Sequence, residues 1–161
     1  MKVTIVCVGK IKEKYLKDAI DEYSKRLSRY INLQILEVAD EKTEDNISPA
    51  QEENIRIKES ERILKKLAFK KGDYIISLAL DGKEFTSEAF SDMLQQNMTM
   101  GIPHIYFIIG GSLGISKHLL AKSNAKICFS KMTFPHQLMR VILLEQVYRS
   151  FKIINNEPYH K

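Results

Sequence analysis

The stretch KICFSKMTFPHQLMRVILLEQVYRSFKI, residues 126–153, changes character twice along its length. Ile127, Cys128 and Phe129 make a short apolar run of strand type, and residues 135–154 have the composition of a long helix. Between them stands Ser130-Lys131-Met132-Thr133-Phe134-Pro135-His136. A residue before proline is pushed out of helical geometry, so Phe134 should end the extended part and Pro135 open the helix, with Thr133 as its cap. Leu138, Met139, Val141, Ile142, Leu143, Leu144, Val147, Tyr148 and Phe151 leave almost no polar face in the first three turns of that helix. A helix apolar all round is covered on both sides. A sheet covers one of them, and the same helix of a second copy, in a homodimer, is the economical cover for the other. Arg140, Glu145 and Arg149 are the exceptions. Glu145 and Arg149 stand at i,i+4, the spacing of an ordinary helical ion pair, whereas Arg140 has no such partner and is the better candidate for a functional charge.

Upstream, strands and helices alternate. Residues 3–9 (VTIVCVG) are a continuous apolar run rich in β-branched residues, as in a strand covered on both faces. Tyr15, Leu16, Ala19, Ile20, Tyr23 and Leu27 form a helical stripe within residues 13–30. Residues 33–38 are a second strand, residues 40–50 a polar loop, and Ser48-Pro49 the start of a largely charged helix running to about residue 68. Residues 73–80 (DYIISLAL) form a third strand that the turn Asp81-Gly82 should close. Thr86 or Ser87 caps a helix through residue 98; residues 104–109 (HIYFII) are a fourth strand, 116–121 a short helix and 125–129 a fifth strand. This order predicts one α/β domain, residues 1–161, with a mainly parallel sheet flanked by helices. Ligands of such sheets sit beyond the carboxyl ends of the strands, so the loops after residues 80, 109 and 129 are the candidate site.

The remaining composition narrows the class. With 161 residues, 44% hydrophobic and 28% charged, the chain can bury one real core. No apolar run approaches the roughly 18 residues of a membrane span, and the N-terminus reads as a strand, not an export signal, so the cytoplasm is the expected location. Cys7 and Cys128 fall in strands with no close spacing, and the four histidines are scattered, so neither a disulfide framework nor a metal site is expected. The net charge of +5 is uneven: residues 10–29, 62–71 and 131 onward are basic, and 37–61 acidic. Basic patches of this kind are either a solvated face or a footprint for a polyanion such as RNA.

Ile109-Gly110-Gly111-Ser112-Leu113-Gly114-Ile115 follows the fourth strand directly. Glycines there serve either a tight strand-to-helix connection or a backbone brought close to a ligand. The order G-G-x-x-G after a fourth strand is not the G-x-G-x-x-G of a dinucleotide fold, nor is there a phosphate loop. The chain ends Pro158-Tyr159-His160-Lys161, which places an aromatic, an imidazole and a cation in a row. Such a tail is either frayed or suited to stacking on and holding an RNA base.

Taken together, VGK at residues 8–10, IGGSLGI at 109–115, SKMTFPHQLMRVILLEQVYRSFKI at 130–153 and the closing PYHK resemble the SPOUT-class ribosomal RNA large-subunit methyltransferase H family over the whole chain. The resemblance implies an α/β fold whose C-terminal part is tied in a trefoil knot. It implies S-adenosylmethionine as methyl donor, held by Leu78, Gly110, Gly111, Gly114 and residues Phe129, Ser130, Lys131, Met132, Thr133 and Phe134. It also implies a homodimer through the last helix, and N3 methylation of a pseudouridine in a 23S rRNA hairpin loop on the assembled ribosome. Transfer is then an in-line displacement in which positioning dominates, with Arg140, Arg149, Tyr159 and His160 as the residues about the reacting base. A tRNA-directed SPOUT enzyme or a non-catalytic RNA binder are the competing readings; an NAD-dependent oxidoreductase is disfavoured by the missing fingerprint.

Overall fold

The computed structural model describes residues 1–67 and 69–160, so Ala68, the expected end of the second helix, and Lys161 lie outside the described residues. Five strands and five helices alternate: β1 (Lys2–Val8), α1 (Lys14–Leu27), β2 (Asn32–Val38), α2 (Pro49–Lys66), β3 (Tyr74–Glu84), α3 (Ser87–Thr99), β4 (His104–Ile109), α4 (Lys117–Ala121), β5 (Ala125–Cys128) and α5 (His136–Ile154). All pairings are parallel, in the order β2-β1-β4-β3-β5. The sheet is α/β in the expected sense.

Residues of one strand alternate between two cores. Val3, Ile5 and Cys7 of β1 join Phe107 of β4 and the buried stripes of α1, α3 and α5, including Leu27, Phe90, Leu94, Leu143 and Val147. Val6 and Val8 point the other way, with Ile108, to meet Ile63 of α2 and Leu119 of α4. The period-2 geometry of a strand makes this division, and it explains why β1 and β4 read as unbroken apolar runs. The chain after β4 therefore leaves on the α2/α4 face, while the chains after its neighbours β1 and β3 leave on the opposite face. Such divergence opens a crevice at the carboxyl end of β4.

Local signals act as expected at three helix starts. Ser48 and Gln51 form a reciprocal capping box ahead of Pro49, Thr86 accepts from the Ala89 amide, and Ser116 accepts from the Leu119 amide. Two expectations are corrected. Asp81-Gly82 does not close β3 but lies inside it, where the pairing with β5 shifts so that Leu78 and Lys83 both face Ile127. A Cβ on Gly82 would stand 2.6 Å from the Ile127 carbonyl carbon, so the glycine permits backbone-to-backbone contact instead of a turn. Thr133 does not cap α5; Pro135 occupies the N-cap position, its carbonyl accepts from the Met139 amide, and Thr133 is left facing a cavity.

Helix α5 lies between α1 and α3 and buries Leu143, Leu144, Val147 and Phe151. Its outward strip is not covered within the chain: Leu138 remains 37% exposed, Phe134 just before it 36%, and Ile142 is half-buried. Among the described residues no helix is long and apolar enough to cross a membrane.

Candidate active site

The loops after β3, β4 and β5 converge on one cavity of about 550 Å³. Its walls are Leu78, Ala79 and Leu80; Ile109 through Gly114; Cys128, Phe129 and Ser130; and Met132, Thr133, Phe134, Pro135, His136 and Met139. Of the residues expected to hold a cofactor, Leu78, Gly110, Gly111, Gly114, Phe129, Ser130, Met132, Thr133 and Phe134 all line it. Lys131 does not; it is exposed. The loop after β5 is shaped by its own polar groups, since the Met132 amide donates to Ser130 Oγ at 3.0 Å and the Cys128 thiol to the Ser130 carbonyl at 3.0 Å.

The glycines of the β4 loop have three separate reasons. Gly114 has φ +88°, which favours glycine. A Cβ on Gly110 would lie 2.7 Å from the Gly114 carbonyl carbon and oxygen, so that glycine serves the folding of the loop upon itself. A Cβ on Gly111 would lie 2.7 Å from Oε2 of Glu59, a residue of α2. Helix α2 in fact holds the whole loop from behind. Arg56 donates to the Leu113 carbonyl at 3.3 Å, and Ser60 accepts from the Ser116 amide at 3.2 Å. Glu59 is 4% exposed; its Oε1 accepts from the Glu41 amide at 2.9 Å and its Oε2 has no partner. Burial raises its carboxyl above the ordinary range, against the lowering effect of the Glu41 amide. Residues 56, 59, 60 and 63 form one helical stripe, yet it is mixed in polarity, so the sequence showed only a largely charged helix there.

His136, the last residue of the polar junction and the first of α5, lines the cavity. Burial and then the nearby Arg140 charge push its imidazole below the ordinary value, with Asp40 opposing, so it is neutral at neutral pH. The proline before it is the local signal that could have marked it: Pro135 fixes where the first side chain of α5 emerges.

Arg140 is placed quite differently from expectation. It is 1% exposed, bonds Glu37 of β2 at 2.6 Å, and donates to the carbonyls of Val8 at 3.0 Å and Gly9 at 2.7 Å. Its partner is 103 residues away, so no i,i+4 rule could reveal it. The guanidinium ties the start of α5 to the carboxyl ends of β1 and β2 and does not line the cavity. In this chain Arg140 therefore braces the site from within the core. Cys7 is no nucleophile either, since burial pushes its thiol up to about 12.

Arg149, Tyr159 and His160 gather in a second cluster. Glu145 accepts from Arg149 at 2.6 Å and from the Tyr159 hydroxyl at 3.1 Å, while the Arg149 guanidinium lies over the Tyr159 ring at 4.8 Å. The expected Glu145–Arg149 helical pair is therefore present, as the centre of a larger network. His160 sits between Arg149, 3.2 Å from Nδ1, and Glu88, 2.7 Å from Nε2. Arginine only donates, so Nδ1 accepts and Nε2 carries the proton toward Glu88. Burial and hydrogen bonds to Tyr23 and Glu145 raise the Tyr159 phenol far above its ordinary value, so it remains a donor. The tail is not frayed through residue 160: Glu157 accepts from Tyr30 at 2.9 Å and pairs with Lys152.

The cavity suits a small organic cofactor in size and wall chemistry. Leu78, Ile109, Leu113, Phe129 and Met139 supply apolar surface, and two loops add backbone donors and acceptors. Comparison with known proteins agrees. The chain matches the family model described as a predicted SPOUT methyltransferase over residues 1–160. A ribosomal RNA large subunit methyltransferase H of Clostridium beijerinckii is 59% identical over the full length of both chains, and one of Ruminiclostridium cellulolyticum is 55% identical over the same extent.

The chain belongs to the ribosomal RNA large subunit methyltransferase H family of SPOUT methyltransferases.

In fold, this SPOUT methyltransferase is similar to the solved structure of a probable methylase family protein from Haemophilus influenzae Rd KW20. The TM-score is 0.55 at 12% identity, covering 99% of this chain and 70% of the other. In this chain the parallel strands and the glycine loop after β4 place the cavity at the sheet's carboxyl edge.

Proposed function

We propose that the protein transfers a methyl group from S-adenosylmethionine to N3 of a pseudouridine in a hairpin loop of 23S rRNA, acting in the cytoplasm on the assembled ribosome. The observation that carries this reading is the convergence of the three carboxyl-end loops on one cavity lined by every residue the family resemblance assigns to the cofactor except Lys131. The names of the relatives support a ribosomal RNA target.

The cofactor supplies an activated methyl on sulfonium sulfur. The protein's part is to hold and orient two reactants, the step in which most of the barrier is removed for such a displacement. Leu78, Phe129 and Phe134 offer surface to an adenine ring; Gly110, Gly111, Gly114, Ser130, Met132 and Thr133 offer backbone close to it. Exposed Lys131 is free to meet a phosphate at the mouth. The attacking nitrogen must lose a proton. The Arg149 charge favours the deprotonated base, while Tyr159, donating to Glu145, and His160, held between Arg149 and Glu88, fix that charge in place.

A second copy packing on Phe134, Leu138 and Ile142 completes the picture as a homodimer. Glu145 and Arg149 continue that strip along α5, so the tail cluster lies on the same face, beside the seam between the two copies. The position of β5 outside β3, with α5 returning between α1 and α3 and Arg140 fastened beside β1, supports a C-terminal trefoil knot.

The test is transfer from methyl-labelled cofactor to assembled ribosomes, free large subunits, naked rRNA and bulk tRNA in parallel. Label confined to assembled ribosomes and mapping to a pseudouridine N3 is the expected result. Label in tRNA would replace the substrate, and absence of both label and cofactor binding would remove the enzymatic reading.

A further inference from the structure

A second, smaller hollow of about 250 Å³ adjoins the cofactor cavity and shares Phe129 and Phe134 with it. Phe85 and Phe90 add two more rings, Ser87 of α3 and Gln146 of α5 supply polar groups, and Ile142 borders the seam with the proposed second copy. The amide of Gln146 is held in one orientation. Its Nε2 donates to Glu145 Oε2 at 2.7 Å, and a carboxylate only accepts, so Oε1 is the atom that meets Ser87 Oγ at 2.8 Å. Each end keeps spare capacity, one N–H and one lone pair. A fixed carboxamide among aromatic faces reads a planar heterocycle with a neighbouring donor and acceptor, as amide side chains read base edges elsewhere.

We infer that this hollow receives the target base, extruded from its loop, and that Gln146 selects it through an amide edge; the inference rests on the pseudouridine substrate proposed above. Pseudouridine is joined to ribose through carbon, so N1–H and the adjacent carbonyl at C2 are both free. Uridine has no N1–H, because N1 carries the sugar. Pairing at N1–H and C2 occupies one side of the ring and leaves N3 unencumbered toward the shared wall with the cofactor cavity. The same Gln146 touches Glu145, which anchors Arg149 and Tyr159, so the base would lie beside the cluster proposed to favour its deprotonation.

The experiment compares methyl transfer to assembled ribosomes carrying pseudouridine or uridine at the target position, with calorimetric cofactor affinity and dimer mass measured alongside. The unaltered protein should prefer pseudouridine by at least about tenfold. Gln146→Met, close in shape and without the amide, should lower kcat/KM on pseudouridine by about 10- to 100-fold, the scale of one bidentate contact, and reduce the preference to about twofold. Ser87→Ala, which frees the amide to rotate, should fall between the two. Preference retained in Gln146→Met would overturn the inference. So would a parallel loss of cofactor affinity, which would assign the hollow to the cofactor, or a loss of dimer mass, which would assign it to a second copy's side chain. Transfer by the unaltered protein to neither ribosome would instead remove the proposed function, and this pocket's role with it.

Discussion

Gly110 and Gly111 are neighbours in one loop and both lack room for a methyl group, yet the structure predicts that only the change at Gly111 can be rescued by Glu59→Ala. In Gly111→Ala the new methyl lies 2.7 Å from Glu59 Oε2 and 3.1 Å from Oε1, where ordinary contact begins at 3.4 Å. The shortfall of about 0.7 Å falls on a carboxylate that is pinned through Oε1 to the Glu41 amide and buried. Overpacking of this kind costs about 1–3 kcal/mol, which weakens cofactor binding by about fivefold to over a hundredfold if the bound loop bears the strain. Glu59→Ala alone forfeits the Glu41 hydrogen bond, about 1 kcal/mol, and leaves the loop in place. In the double variant the methyl enters the space the carboxylate vacated, and at least half of the lost affinity should return. Gly110→Ala collides with the Gly114 backbone, which cannot rotate away, so Glu59→Ala should not rescue it. Calorimetric titration with S-adenosylmethionine and urea unfolding of all five variants supply the cycle. A coupling between Gly111→Ala and Glu59→Ala below about 0.5 kcal/mol would refute the reasoning, since contacting sites depart from additivity by more than that.

Arg140→Met removes the buried partner of Glu37 and leaves the Val8 and Gly9 carbonyls without their donor; urea unfolding should show a loss of about 3 kcal/mol, with activity falling only through stability. His136 is held below its ordinary pKa, so its contribution is present above about pH 6.5 and is lost as pH falls through the lower folded value; thermal unfolding from pH 7.5 to 5 should show this loss, and His136→Gln should flatten it. Removal of residues 159–161 should abolish methyl transfer and spare cofactor affinity, and full activity without the tail would end its proposed role. Leu138→Glu with Ile142→Glu places two charges on the uncovered strip of α5, and light scattering should then find a folded monomer that binds cofactor weakly or normally but transfers no methyl.

The order of elements was legible because its causes are local. Strand runs covered on both faces, Ser48-Pro49, Thr86 and Ser116 all act within one turn or one strand, and they set α/β alternation without reference to anything distant. The loops of the cavity were legible for the same reason: composition changes abruptly where a strand ends, and parallel sheets put ligands there. What the chain order could not reveal depends on which segments meet. Arg140 looked unpartnered because Glu37 is 103 residues away in sequence, and Gly111 looked like part of a tight connection or a ligand contact when it also makes room for Glu59 of α2. Asp81-Gly82 has the composition of a turn, but β5 lies against it and turns the glycine into a point of backbone contact. The tail's fate was decided likewise by Glu88 of α3, Glu145 of α5 and Tyr30 of the turn after α1. Local sequence sets the conformations a segment favours; only the packed fold decides which buried polar group finds a partner, because an unpaired one is too costly to leave where it falls.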